Sequence, residues 1–498
     1  TGIALGDEEE CMAIAADLVV IGGGPAGVSA ALRARELGAT AALLERGNLG
    51  GSCTNDGCVP TRVLAKTARL LRDAGQAAEF GLVGAPPTVD LAAVLRRVRA
   101  TVDRVHATKD LERHLARSGV TVRVGAGPAR FLDPHTLVLP DGERVEGRQF
   151  VLCAGGHARR LDFPGAELVR THSEVWSLPR FPAALVVVGG AATGCQLASV
   201  FAAFGSKVTL LDAAPTLLGG EDADVARAIE AALVARGVEV ITGIGRIERI
   251  APADGRLRLA YLLGSAESAV DADEVLLAVG WPGNTDGLGL EVAAVQVEGG
   301  YVVVDDTLRT SAGHIWAAGD LTGRMMLAQS ATAEGRLAAE NALLGGERPH
   351  VDAVVPHGGF TDPEYGGVGL TEAAARARPG EPVAVATVAY QDLDRAVLDG
   401  RTEGFCKLIA EHGSHRVVGA HVVGEQAVEV VQVAATAMAA DMRVEQLAKV
   451  DLAYPTFTAV VGLAARRLAR ELGAVEMSPA WRALGRADQA EWERREGA

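Results

Sequence analysis

A spacing of three glycines, G-x-G-x-x-G, occurs once in full and once nearly so, each time between an apolar run and a helical one. The first copy lies in ADLVVIGGGPAGVSAALRARELGATAALLERG, residues 16–47, with Gly22, Gly24 and Gly27. The apolar run 18–21 reads as a strand. Val28, Ala31 and Leu32 then give the i, i+3, i+4 spacing of a helix face. TAALLE reads as a second strand, and it ends in Glu45. Each glycine has a physical task. The first makes a tight turn, the second lets a diphosphate approach the backbone, and the third lets the helix pack on the sheet. The diphosphate then meets the positive end of the helix, and the acid at the end of the second strand accepts from a ribose hydroxyl. Residues 16–47 therefore read as a dinucleotide-binding unit.

The second copy is ALVVVGGAATGCQLASVFAAFGSKVTLLD, residues 184–212. Gly189 and Gly194 keep the first and third places, and Ala191 replaces the middle glycine. The second strand ends in Asp212. A carboxylate there accepts from a 2′-hydroxyl and repels a 2′-phosphate, and no arginine follows closely in DAAPTLLGGED. That favours NADH over NADPH. Two such units in one chain call for two cofactors. One is a nicotinamide dinucleotide, and a flavin is a ring system that accepts its hydride.

The totals fit this reading. A chain of 498 residues has room for several domains, and 49% hydrophobic residues with only 4% aromatics suits an α/β protein with Ala-rich helices. A net charge of −15 argues against nucleic acid or an anionic membrane as a partner and for a small molecule. No uninterrupted apolar run reaches the ~18 residues of a membrane span. The start carries acidic residues where a signal peptide has basic ones, so residues 1–13 read as a loose leader and the protein as cytoplasmic.

Further along, RVEGRQFVLCAGG (144–156) and TSAGHIWAAGDLTG (310–323) each read as a strand running into a glycine turn, the second with Asp320 at its end. Beyond about residue 350 period-two alternation gives way to an Ala-rich helix near 427–440, which reads as a separate α+β domain. The face of that helix suits either a subunit contact or an internal core. The end of the chain, 476–498, reads as a charged tail.

Six cysteines in a chain this long are too few for a disulfide scaffold. Cys11, Cys153, Cys195 and Cys406 are scattered and read as small apolar residues. Cys53 and Cys58 are different. They sit in GGSCTNDGCVPTR, residues 50–62, directly after the first dinucleotide unit. Zinc needs about four converging ligands, and no second pair is near. A purely structural bridge is unlike a reducing compartment. Electron exchange remains. The pair opens a helix with Pro60 in its first turn, and backbone dipoles at a helix start stabilise a thiolate.

GGSCTNDGCVPTR resembles the disulfide motif of the FAD-dependent pyridine nucleotide–disulfide oxidoreductases, the family of dihydrolipoamide dehydrogenase, glutathione reductase and mercuric reductase. The resemblance covers roughly residues 14–472. It implies an α/β fold with two Rossmann-like domains, for FAD and NAD, followed by an α+β dimerisation domain. The implied boundaries are 14–165 and 285–350 for FAD, 166–284 for NAD and 351–475 for dimerisation. It implies that Gly22, Gly24, Gly27 and Glu45 hold the ADP part of FAD, with Gly51 and Ser52 on the diphosphate side. GAGPA, containing Gly127 and Ala129, resembles the stretch near the adenine, and Ala154 and Gly155 resemble a conserved turn. Asp320 would hold the ribityl or diphosphate region, and Ala328 would start a helix under the pyrimidine. Gly189, Gly194, Asp212 and Gly280 would line the NAD site. Cys58 would lie against the flavin as the charge-transfer thiolate, and Cys53 would be the interchange thiol facing substrate. A homodimer is implied.

Two departures bear on the reaction. Dithiol reductases of this family end in a histidine, which serves the partner subunit's thiol, and a glutamate that orients it. Here LAYPTFTAVVGLAARR places Tyr454 and Ala459 at those positions. A phenol is a poor base near neutrality, and acid–base help is worth roughly 10²–10⁴-fold. Efficient lipoamide or glutathione disulfide reduction is therefore disfavoured. Arg62 stands at the usual lysine position and Gln196 at that of its glutamate partner, so an ion pair beside the flavin has become Arg–Gln. His172 and His357 are candidate substitute bases. The chain is thus expected to be an NAD(P)H-dependent flavoprotein whose Cys53–Cys58 pair reduces a small acceptor that does not need the histidine: a metal ion, a quinone, a reactive electrophile or an unusual thiol. The alternatives are a dihydrolipoamide dehydrogenase-like or mercuric reductase-like enzyme, or a flavin-bearing redox sensor with little turnover. No cysteine follows Cys406, so the C-terminal metal handover of mercuric reductase is missing.

Overall fold

Leu18, Val19 and Val20 are fully buried in β1 (Ile14–Ile21), as a central strand covered on both faces must be. The computed structural model describes residues 14–351 and 354–474. The expected leader, Cys11 and the charged tail lie outside them. The described chain falls into two compact units, the first built from residues up to 63, 91–159 and 280–351 and the second from 64–90, 160–279 and the residues beyond 351.

In the first unit β1 pairs in parallel with β2 (Ala41–Glu45) on one side and β6 (Arg144–Leu152) on the other. The sheet runs β3 (Val120–Val124), β2, β1, β6, β5 (Thr136–Val138), β4 (Arg130–Asp133), and Ile315–Ala317 adds in parallel to β6. Two helices, α1 (Pro25–Glu36) and Ala328–Leu344, pack against each other so closely that a Cβ on Gly335 would stand 2.1 Å from the Ala26 carbonyl oxygen. The short α2 (Gly51–Asn55) and the start of α3 (Cys58–Gly75) complete the parts that matter below.

The second unit contains a five-stranded all-parallel sheet in the order Glu239–Ile241, Lys207–Leu211, Ala184–Val188, Glu274–Leu277, Arg170–Thr171. It also holds a five-stranded antiparallel sheet, His357–Gly359, Glu364–Gly369, Val417–Gly424, Phe405–Glu411, Val383–Ala389. The Ala-rich helix is Ala427–Ala439, and its Ala427, Val430, Val431, Ala434, Ala435 and Ala437 are buried in the core of this same chain. Of the two readings of that face the internal core is the one observed, so the helix carries no argument for a subunit contact. Cys153, Cys195 and Cys406 are buried, and burial pushes all three thiols up.

Register lines up His357, Gly367, His421, Lys407 and Thr387 across the five antiparallel strands. Lys407 is 2% exposed and its ammonium reaches Asp222 at 2.8 Å, Glu372 at 2.9 Å and Asp224. Asp222 caps the helix Ala223–Ala235 and is itself buried. Removing the cation leaves a buried carboxylate without its counter-charge. Lys407→Met should cost about 3–5 kcal/mol, measured as a lower denaturant midpoint; an unchanged midpoint would refute the assignment.

Candidate active site

The turn after β1 is shaped by close approaches that only hydrogen at Cα allows. A Cβ on Gly27 would stand 1.8 Å from the Gly22 carbonyl oxygen, and one on Gly22, where φ is +106°, 2.2 Å from the Cys153 oxygen. The Gly22 N–H donates to Leu44 at 2.8 Å, and the Gly23 N–H donates to Glu45 Oε2 at 2.6 Å. Gly24 differs: a Cβ there would meet only Gly51 Cα at 3.7 Å. The space beside Gly24 at the start of α1 is therefore open, which fits a diphosphate held by a helix N-terminus.

The second copy repeats this geometry within the second unit. A Cβ on Gly194 would stand 1.7 Å from the Gly189 oxygen, and one on Gly189 (φ +107°) 2.3 Å from the Ala278 oxygen. The Gly190 N–H donates to Asp212 Oδ2, and the Ala214 N–H to Oδ1 at 2.7 Å. Gly23 and Gly190 were not singled out from sequence. Each lacks room for a Cβ, with a leucine Cδ2 at 2.4 Å (Leu49 and Leu217), and each binds the acid at the end of the next strand. The signal was present, since both copies read Gly-Gly at those places.

The other first-unit positions that the resemblance assigned to the flavin fall as follows. Ala126 N–H donates to the Glu45 carbonyl at 3.1 Å and Gly125 N–H to Gly47 at 3.2 Å, which brings the stretch containing Gly127 to the end of β2; Ala129 is buried in the core behind it. Ala154 and Gly155 are held by Asn284, whose side-chain amide donates to the Ala154 carbonyl at 2.8 Å and whose backbone N–H donates to Gly155 at 2.9 Å. Asp320 Oδ2 accepts from Trp281 Nε1 at 3.0 Å, and burial raises its carboxyl above the usual range. The neighbouring Gly319 N–H donates to Glu334, a carboxylate with no exposure, at 2.7 Å. Ala328 begins the helix Ala328–Leu344. Gly280 belongs to this unit, where its carbonyl accepts from Arg159 at 3.0 Å. Asn284, Trp281 and Glu334 were missed because no local spacing marks them.

Cys53 lies in α2 and Cys58 is the first residue of α3. The turn between them is fixed by the Ser52 carbonyl, which accepts from Asp56 at 3.0 Å and Gly57 at 2.6 Å. Gly51 packs against Gly24, with its Cβ position 2.9 Å from Gly24 Cα, so the sulfur loop and the diphosphate turn are one construction. The neighbouring Cys58 thiol lowers Cys53 to about 7, and Cys53 together with burial raises Cys58. Arg62 lies four residues past Cys58, on the same face of α3.

Gln196 lies in the second unit: Oε1 accepts from the Phe360 N–H at 3.1 Å and Nε2 donates to the Ala192 carbonyl at 2.9 Å. The Tyr454 hydroxyl donates to Asp394 on an exposed surface. His172 contacts the Leu277 carbonyl at 3.3 Å and burial lowers it, whereas His357 meets Glu221 at 3.0 Å, which raises it. Both histidines thus have structural partners. Among the described residues no helix is long and apolar enough to cross a membrane.

Comparison with known proteins agrees with this architecture. Residues 16–335 match the model of the pyridine nucleotide-disulphide oxidoreductases, and 355–465 match the dimerisation domain of the same group. The chain is 31% identical over 472 residues to the dihydrolipoyl dehydrogenase of Chlorobaculum tepidum, covering 94% of this chain and all of that one. It is 33% identical over 453 residues to that of Geobacillus stearothermophilus, covering 89% and 94%. Among solved structures, the HOCl-induced flavoprotein disulfide reductase RclA of Escherichia coli superposes with a TM-score of 0.80 at 27% identity, covering 90% of this chain and 99% of that one. A copper(II) complex of a cysteine-to-serine mutant of RclA gives 0.79 at 28% identity, covering 91% and 99%.

The coupled sulfurs make a direct prediction. In chemically reduced protein, alkylation of Cys53 should rise with pH around a midpoint near 7, because the thiolate is the nucleophile. Cys58→Ala removes the neighbouring thiol and should move that midpoint up toward the ordinary thiol value of about 8.5. Rate–pH profiles with peptide mapping check it; a midpoint indifferent to the substitution would refute the coupling.

Proposed function

The chain belongs to the pyridine nucleotide–disulphide oxidoreductase family, and from that premise we propose that it passes electrons from NADH through FAD to the Cys53–Cys58 pair and on to an oxidised metal ion such as copper(II). The family is FAD-dependent and uses pyridine nucleotides; the choice of NADH, the residue roles and the acceptor are our reading. Gly22, Gly24, Gly27, Glu45, Gly51, Ser52, Gly127, Ala129, Ala154, Gly155, Asp320 and Ala328 hold the flavin cofactor, with Arg62 beside it. Gly189, Gly194, Gln196 and Asp212 of the second unit serve the nicotinamide nucleotide. The flavin domain is 14–165 with 285–350, the NAD domain 166–284 and the dimerisation domain 351–475, in a homodimer. Bound FAD supplies a two-electron carrier between nicotinamide and sulfur.

One observation carries the choice of acceptor: the residue at the base position, Tyr454, has its hydroxyl hydrogen on Asp394. Reducing the disulfide with two electrons and one proton breaks the S–S bond and gives one thiolate and one thiol. A hydride carries that same count. On reoxidation two copper(II) ions take one electron each, the S–S bond forms again, and the single proton leaves to water. A disulfide substrate released as two thiols takes two protons, as does a quinone, so another proton has to be delivered at the leaving atom. Tyr454 is poorly suited to deliver it. Soft thiolates also suit a soft metal ion. The copper(II) complex of RclA supports the same class.

The second reading, a dihydrolipoyl dehydrogenase, is favoured by the curated relatives. The two separate in one assay. Holoenzyme with NADH under anaerobic conditions should reduce copper(II), read as copper(I) with a chelating dye, at least tenfold faster than lipoamide, and Cys58→Ser should abolish copper reduction. The reverse ranking would overturn the proposal in favour of the second reading. Tyr454→His together with Ala459→Glu should raise lipoamide turnover tenfold or more, toward the roughly 10²–10⁴-fold that acid–base help is worth, with copper reduction unchanged.

The two glycine types also separate. Gly24→Ala meets no protein atom closer than 3.7 Å, so the apoprotein should keep its unfolding midpoint while bound flavin falls. Gly27→Ala collides with the Gly22 carbonyl and should lower both. Equal flavin content in the wild type and Gly24→Ala would remove Gly24 from the site.

A further inference from the structure

In the first unit the turn Gly319–Thr322 carries Asp320, and its backbone has bonds of its own. The Gly319 N–H donates to the buried Glu334 at 2.7 Å, the Thr322 hydroxyl donates to the Gly319 carbonyl at 2.9 Å, and the Gly323 N–H donates to the Asp320 carbonyl at 3.1 Å. The Asp320 carboxylate is held by a different group: its Oδ2 accepts from the Trp281 indole N–H at 3.0 Å. That indole is wedged in place. A Cβ on Gly156 would stand 2.5 Å from both Cδ1 and Nε1 of Trp281. Gly156 has no positive φ, so it is the indole and the Pro282 carbonyl, at 2.8 Å, that exclude a side chain there. The Trp281 carbonyl accepts from the Tyr301 hydroxyl at 3.1 Å. The Tyr301 ring in turn lies 2.7 Å from where a Cβ on Gly323 would stand. Gly323 closes the turn, so contacts run in a ring from the turn through Tyr301 and Trp281 back to Asp320.

We propose that Trp281 is a positioning residue for the flavin cofactor: its indole N–H fixes Oδ2 of Asp320 and leaves Oδ1 to accept from a hydroxyl of the cofactor. The proposal rests on the reading above that Asp320 holds the cofactor. An indole N–H is a single uncharged donor. It orients one oxygen, and the carboxylate keeps its charge and its other oxygen for the ligand. A lysine or arginine at this place would instead pair with the carboxylate as a counter-ion. Burial raises the Asp320 carboxyl, and the indole bond opposes that effect. A ring held by packing is also a rigid support, so the carboxylate is oriented before the cofactor arrives. Because the backbone of the turn has its own partners, loss of the N–H frees the carboxylate to rotate and leaves the turn in place.

The test dilutes holoenzyme stepwise and reads released FAD by its fluorescence, so that it depends on no NADH, sulfur chemistry or acceptor. Benzothienylalanine in place of Trp281 keeps the shape of the ring and has sulfur where the N–H was. This isostere and Trp281→Phe should each weaken FAD binding about tenfold or more, as loss of a hydrogen bond to a charged group does. At saturating FAD the isostere should keep the wild-type unfolding midpoint. In an Asp320→Ala background neither change should alter FAD binding by more than about twofold, because the partner is gone. Wild-type affinity in the isostere would overturn the proposal. So would an equal loss with and without Asp320, which would mean that the ring packs rather than donates. Asp320→Ala with undiminished affinity would instead remove Asp320 from the cofactor site, and the reading beneath the proposal would fall with it.

Discussion

Two carbonyl oxygens, those of Gly22 and Gly189, stand where a side chain on Gly27 or Gly194 would need to be. That contact lets each helix start sit directly on the end of its strand. It also leaves the helix N-terminus facing outward with its unpaired N–H groups together. The remaining features follow from it. Gly22 and Gly189 turn with φ near +106°, and the glycine after each binds the acid at the end of the neighbouring strand. In the first unit the same turn carries Gly51 against Gly24, which places the sulfur loop beside it. Steric exclusion at one pair of backbone atoms thus sets both the open helix start and the place of the sulfur loop beside it.

Much of this was readable from the chain as letters. The tight contacts are local, spanning a few residues, and they leave glycine as the one tolerable choice, so both copies of the motif were visible. The sulfur loop was visible because both cysteines lie within one turn and one helix start. Lys407 was not. Its partners Asp222, Asp224 and Glu372 come from two other elements, and only sheet register brings His357, His421 and Lys407 onto one line. The helix Ala427–Ala439 shows the opposite case: the pattern gave its existence and apolar face, while what covers that face depends on chain topology that a period cannot encode.

Charge placement around Cys53 shows how a weak set of influences yields a reactive sulfur. A half-buried thiolate is disfavoured by desolvation, and Asp320 adds repulsion. Against these stands the neighbouring Cys58 thiol. A lowered Cys53 and a raised Cys58 are one fact seen from two atoms. In the proposed reaction the pair moves between a bridged form and a form with one proton and one charge.

That proton count constrains what the pair can reduce well. An acceptor that takes only electrons matches the unit as it stands, since the one proton released is accepted by water. An acceptor that must also be protonated needs a group whose proton is available and whose conjugate base is stable near neutrality. Tyr454 fails on the first point, because its hydroxyl is already directed at Asp394. Ala459 has no polar atom with which to correct it. With Tyr454 and Ala459 at these two positions, an electron-only acceptor is the class proposed above for the pair.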